Sequence, residues 1–177
     1  MKAHFIGNGK SQNLFNAHYG TVVMGNVPKM NISYTALSII DTKVILYLHN
    51  NNIHLENKNI WCTPDIKKQA NNYKIQGIWH AIYKPKPKFN SGHQAVQHLS
   101  KDFKLIHLWG MDSMFTDDLT SLMDDRVTRT TRPPLNNDWR PYWKQLFSQH
   151  EQVLYTIHAP KGTKQIDYGK NCRYEFH

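Results

Sequence analysis

The chain has 177 residues, 40% of them apolar and 20% charged, and a formal net charge of +9. That length suits one domain with a real core, which excludes a disordered tail, and no apolar run approaches the ~20 residues of a membrane-spanning helix. The basic excess draws phosphate-bearing partners, whether nucleic acid, nucleotide or an anionic membrane surface, without choosing among them.

Taken in chain order, Lys2–Ile6 reads as a short buried strand that ends at Gly7-Asn8-Gly9. Residues 21–24 form a second strand, closed by Gly25, Asn26 and Pro28. The run 42–48 (TKVILYL) carries the strongest strand signal, β-branched and aromatic without Gly or Pro. Residues 59–62 are a weaker strand, and 75–83 a short irregular segment. A helix is expected over 91–102, with Ser91 as N-cap and Ala95, Val96, Leu99 and Phe103 along one side. Residues 104–109 follow as a strand that Gly110 breaks, and 116–124 suit a short helix. Asp138 would then cap a helix whose Trp139, Tyr142, Trp143, Leu146 and Phe147 recur at helical spacing. Residues 153–157 are the last expected strand, and 161–177 a polar C-terminal tail outside a domain of residues 1–160.

Strands alternating with helices imply a Rossmann-like α/β domain, a parallel sheet with helices on both faces. Ligands of such sheets bind beyond the carboxyl ends of the strands. That rule points to the turns at 7–11, 25–28, 49–52, 90–93 and 110–115. The first of them, with two glycines, can turn its amides toward a phosphate and is expected to be the phosphate side of the site. It is no Walker A loop, because His4 stands where that motif needs its first glycine.

Four segments share an order and spacing with a known pattern. They are Phe5-Ile6-Gly7-Asn8-Gly9-Lys10-Ser11, Val22-Val23-Met24-Gly25-Asn26, Asn90-Ser91-Gly92-His93-Gln94-Ala95 and Ile106-His107-Leu108-Trp109-Gly110-Met111-Asp112. Together they resemble the bacterial sialyltransferases and related glycosyltransferase-like domains, over about residues 2 to 115. The resemblance implies a nucleotide-binding fold that takes a CMP-linked sugar donor, without metal or other cofactor, and passes it to an acceptor glycan or protein. It places Gly7, Asn8, Gly9 and Ser11 against the donor phosphate and ribose, and Asn26 and Asn50 as polar partners of the nucleotide. Asn90, Ser91 and Gly92 would hold the phosphate or the donor carboxylate at a helix start, with Gly110 and Asp112 flanking base and ribose. The family's base-acting histidine lies in a polar loop before a late helix. The matching loop here, residues 128–138, has none.

Of the eleven histidines, His93 in the first turn of its helix is therefore the expected general base, with His49 second. No HxH or HExxH spacing occurs, so no metal site is expected. His107, mid-strand, reads as a packing residue. Arg126, Arg129, Arg132 and Arg140 bracket the Pro133-Pro134 loop, and Arg129 and Arg132 within it suit an anion pocket. Cys62 and Cys172 lack CxxC spacing, and the first residues turn to Gly and Asn too soon for a secretory leader, so a reduced cytoplasmic protein is expected. Two other functions stay open: a non-catalytic or hydrolytic nucleotide-binding protein, and a basic nucleic-acid-binding protein, for which no RNP or KH-type motif is present.

Overall fold

The computed structural model describes residues 1–16, 19–118, 120–127 and 137–177. Eight strands form one sheet in the order β5-β4-β3-β2-β1-β6-β7-β8, and every neighbouring pair is parallel. They are β1 (Lys2–Ile6), β2 (Thr21–Gly25), β3 (Ala36–Ser38), β4 (Asn59–Trp61), β5 (Ile78–His80), β6 (Leu105–Trp109), β7 (Leu154–Ala159) and β8 (Cys172–Phe176). The chain winds outward from β1 to β5, returns to the other side of β1, and winds outward again to β8. This is the expected α/β architecture. Alternation along each strand divides the core in two. Ala3, Phe5, Ile106, Leu108, Tyr155 and Ile157 pack with helices α3 (Ser91–Leu99) and α4 (Trp139–Gln149). Ile6, Met24, Leu37 and Ile60 pack with α1 (Thr42–Asn50) and α2 (Pro64–Asn72) on the opposite face.

Several elements differ from the sequence expectation. The run 42–48 is not a strand but the body of α1. Asp41 caps it by accepting from the Lys43 amide at 2.8 Å, and Val44, Ile45 and Leu48 bury one helical stripe. The three-residue β3 lies outside the expected elements, as does α2, which Pro64 opens and in which Ile66 and Ala70 are one turn apart. β5 lies within the segment taken as irregular. The cap of α3 is Asn90 rather than Ser91. The described residues of 116–124 form turns and a single bridge from Ser121 to Gly9, not a helix. Asp138 precedes α4 but spends its carboxylate on the Lys88 ammonium at 2.8 Å rather than on a cap. Among the described residues no helix is long and apolar enough to cross a membrane.

The stretch after Pro160, expected to be a loose tail, supplies the edge strand β8. Tyr168 is buried and donates its hydroxyl to the Met114 carbonyl at 2.7 Å. The Asn171 amide reaches the Phe147, His150 and Val153 carbonyls around the end of α4. Tyr168→Phe should therefore cost about 1 kcal/mol, the worth of one buried hydrogen bond. Urea unfolding at neutral pH would show it, and an unchanged midpoint would mean that this segment does not support the fold.

On the sheet face that packs against α1 and α2, the half of the sheet from β1 through β6 and β7 to β8 carries polar rings where β2 to β4 carry the apolar core. His4, His107 and His158 point away from α3 on β1, β6 and β7, and His177 follows β8. Neighbouring ring centroids lie 5.0–5.1 Å apart. Trp109 lies flat on His158 at 3.4 Å, and Phe15 closes edge-on over His4 and Trp109. Burial lowers the pKa of His4 and His107 to about 4 and of His158 to about 3, with neighbouring cations and rings adding to the shift. All three rings are neutral at pH 7.

Candidate functional site

The direction of winding reverses between β1 and β6, and the loops that leave two such strands diverge to open a crevice. Here the crevice is a cleft of about 770 Å³. Its back wall is made by two glycines. The Gly7 amide donates to the Trp109 carbonyl at 2.8 Å and the Gly9 amide to the Gly110 carbonyl at 2.9 Å. A Cβ on Gly7 would stand 2.5 Å from the Gly110 carbonyl oxygen, and one on Gly110 would stand 2.5 Å from that of Gly7. Gly110 also has φ +62°, a conformation L side chains rarely adopt.

One side wall comes from β2. Asn8 donates its side-chain amide to the Gly25 carbonyl at 2.9 Å. Asn26 stands at φ +57°, its own amide donating to the Ser38 carbonyl at 2.9 Å. Its side-chain oxygen is buried without a hydrogen-bond partner among the described residues. The opposite wall is the start of α3. Asn90 and His93 form a capping box, in which the Asn90 side chain accepts from the His93 amide at 3.0 Å and the His93 Nδ1 accepts from the Asn90 amide at 3.2 Å. Ser38 Oγ donates to the Ser91 carbonyl at 2.9 Å and itself accepts from the Tyr83 hydroxyl at 2.9 Å, which ties the helix start to β3. Neither the Ser91 nor the Gly92 amide donates to a described residue. These two N–H groups, with the positive end of the helix dipole behind them, face the cleft.

Nine expected residues thus meet in one place: Gly7, Asn8, Gly9, Asn26, Asn90, Ser91, Gly92, Gly110 and Asp112 all line the cleft. Ser11 sits just behind it, its amide (3.2 Å) and hydroxyl both donating to the Asp112 carboxylate. The Gly7, Gly9 and Ser11 amides of the first turn are committed to Trp109, Gly110 and Asp112 and brace it against the sheet, while the Asn8 amide between the two glycines donates to no described residue. A side chain at Gly9 would run into Asp112.

The two expected bases are not in the cleft. His93 is fully buried, its Nδ1 used by Asn90, its Nε2–H donating to the Trp139 carbonyl at 3.2 Å, and its ring stacked 4.1 Å from Trp143. Burial lowers its pKa to about 3. With both nitrogens engaged it is a cap and a core residue, not a proton acceptor. His49 and Asn50 end α1 away from the cleft, His49 against Tyr73. Reading α1 as a strand put its last residues at the ligand side. As a helix after a parallel strand it presents its first residues there, and Asp41, Thr42 and Lys43 line the cleft instead. Lys88, Phe89 and Met111 complete the rim and floor. Arg129 and Arg132 lie outside the described residues. Among the described residues that line the cleft there is no histidine. Searches against protein-family models, curated proteins and solved structures each return no match.

Proposed function

We propose that this cleft binds a nucleoside phosphate, and that the protein is a small glycosyltransferase-like protein whose donor is a CMP-linked sugar. The observation that carries the reading is the unspent pair of amides at Ser91 and Gly92, facing a cleft at the switch point of a parallel sheet. An anionic phosphate, or the carboxylate of a sialic-acid-type sugar, satisfies both amides and the dipole. Lys43 at the rim adds positive charge. The resemblance of the four segments supports the cytidine donor. Transfer would form a bond from an acceptor hydroxyl to the anomeric carbon as the bond to the CMP phosphate breaks. Asp41 would take the hydroxyl proton at the carboxylate oxygen that the Lys43 amide does not use, since both oxygens of the cleft's other carboxylate, Asp112, accept from Ser11.

A second reading is nucleotide binding without transfer. It is favoured by the absence of any histidine among the described lining residues. The two are separated by incubating the protein with CMP-sialic acid and an acceptor and measuring the sialylated acceptor, since hydrolysis alone also frees CMP.

Asn26 tests the site itself. Its buried, unpartnered oxygen is an acceptor kept for a ligand donor such as a ribose hydroxyl or the cytosine amino group. Asn26→Gly keeps the positive φ and should leave the melting temperature of the free protein unchanged or raised. CMP affinity should fall about tenfold, the worth of roughly 1.4 kcal/mol. A thermal-shift series with CMP, UDP and GDP reads both quantities, because a ligand of the native state raises its melting temperature. Equal CMP stabilisation of variant and wild type would overturn the placement. Stabilisation by polyanions alone, lost in moderate salt, would favour nucleic-acid binding.

A further inference from the structure

We propose that His107, His158 and Glu175 form a binding site for a divalent transition-metal ion of the zinc class, on the sheet face opposite α3 and separate from the nucleotide cleft. One ligand atom of each of the three residues lies within 4.8 Å of the other two. They come from three adjacent strands. His158 on β7 stands directly across from Glu175 on β8, and His107 on β6 stands across from Thr156, two residues before His158. Alternation along a strand therefore sends all three side chains to one face. Because sheet hydrogen bonds fix these strands, the ligands converge on rigid elements rather than on loops.

The donor set selects the ion. Two neutral imidazoles and a carboxylate match zinc and its neighbours, while magnesium and calcium call for oxygen ligands. The nearest nitrogens, His107 Nδ1 and His158 Nε2, are 2.8 Å apart and share one proton. Two nitrogens on a tetrahedral zinc at ~2.0–2.1 Å stand about 3.3 Å apart, so opening the pair by about half an ångström admits the ion. The shared proton moves to the outer nitrogen of its own ring. His158 Nδ1 is hydrogen-bonded to His177 Nε2 at 2.8 Å, the kind of outer partner that fixes the tautomer of a ligating histidine. Entry is from the sheet edge, where the Glu175 side chain is 51% exposed and that of His177 23%. Arg173 and Lys2 add positive charge near these rings. They weaken the site and make the Glu175 carboxylate essential to it.

Cobalt(II) is the probe, since four-coordinate Co2+ absorbs strongly in the visible and zinc displaces it. Titrating the full chain should give one tetrahedral Co2+ per molecule, removed by one equivalent of Zn2+. Glu175→Gln and His107→Gln should each weaken Co2+ at least tenfold with an unchanged circular-dichroism spectrum, and His177→Ala should weaken it less. His158→Gln should abolish the site. Should that buried replacement unfold the chain, the Glu175 and His107 variants decide. A double change of the exposed His49 and His54 to Ala should leave the titration intact. Failure of wild type to bind Co2+, binding indifferent to Glu175→Gln and His107→Gln, or binding lost with His49 and His54 would each overturn the proposal. None of these readouts depends on the nucleotide.

Discussion

Gly110→Ala is expected to cost about 3–5 kcal/mol of folding stability, roughly a third to a half of what an ordinary domain has. Two costs combine. An alanine at φ +62° pays the steric penalty of the left-handed region, ~1–2 kcal/mol. Its methyl would also stand 2.5 Å from the Gly7 carbonyl oxygen and 2.9 Å from the Gln12 side chain. Neither neighbour can retreat. Gly7 is held by the hydrogen bond its N–H donates to the Trp109 carbonyl, and Gln12 is buried. Relief requires β1 and β6 to part at their carboxyl ends, which breaks the Gly9–Gly110 hydrogen bond and opens the back of the cleft. Urea unfolding measures the loss, and a drop below 1 kcal/mol would show that the two loops are not held together as described. Gly162→Ala is the control. It also has positive φ, but no atom lies within 4 Å of its Cβ, so only the conformational cost remains.

The same glycines explain what could be read from the chain. A Gly-Asn-Gly turn, an Asn after a strand, a Ser-Gly at a helix start and a Gly-Met-Asp turn are local signals, each tied to one strand or helix end. A parallel sheet gathers such ends on one edge, so nine of the expected cleft residues did meet there. What failed was information carried by distant partners. TKVILYL has strand-like residues, and the Asp41 cap together with the packing of Val44, Ile45 and Leu48 against the sheet makes it a helix. That single misreading reversed the element and exchanged His49 and Asn50 for Asp41 and Lys43 at the site. His93 looked like a first-turn residue free to reach a ligand. Its role is set by Asn90 three residues back and by Trp139 and Trp143, 46 and 50 positions on, which no local pattern announces. The three grouped metal-ligand candidates are likewise spread over β6, β7 and β8, where spacing rules written for one helix or one hairpin are blind to them.

His93 and His158, both depressed to about 3, carry the largest pH signatures expected of this protein, and His93 is the one that tests the site. Its folded pKa is depressed to about 3 by burial, against an unfolded value near 6.5. Between those values the unfolded chain binds a proton that the folded one refuses. The contribution of the neutral ring is therefore fully present above pH 6.5 and is lost as pH falls toward 3. The slope is about 1.4 kcal/mol per pH unit, so roughly 2 kcal/mol is gone at pH 5. His93→Gln should lower stability at pH 7.5 by about 3 kcal/mol, through the broken capping box, the lost bond to the Trp139 carbonyl and the lost stack on Trp143. It should also flatten the pH dependence, so that wild type and variant draw together between pH 6.5 and 5. A general base in the cleft predicts the opposite pair of results, near-normal stability with a parallel pH profile and a loss confined to turnover. Urea unfolding of both proteins at pH 7.5, 6.0 and 5.0 decides between them. Parallel curves would mean that the ring titrates in the folded state as it does in the open chain, and would return His93 to the candidates for proton transfer.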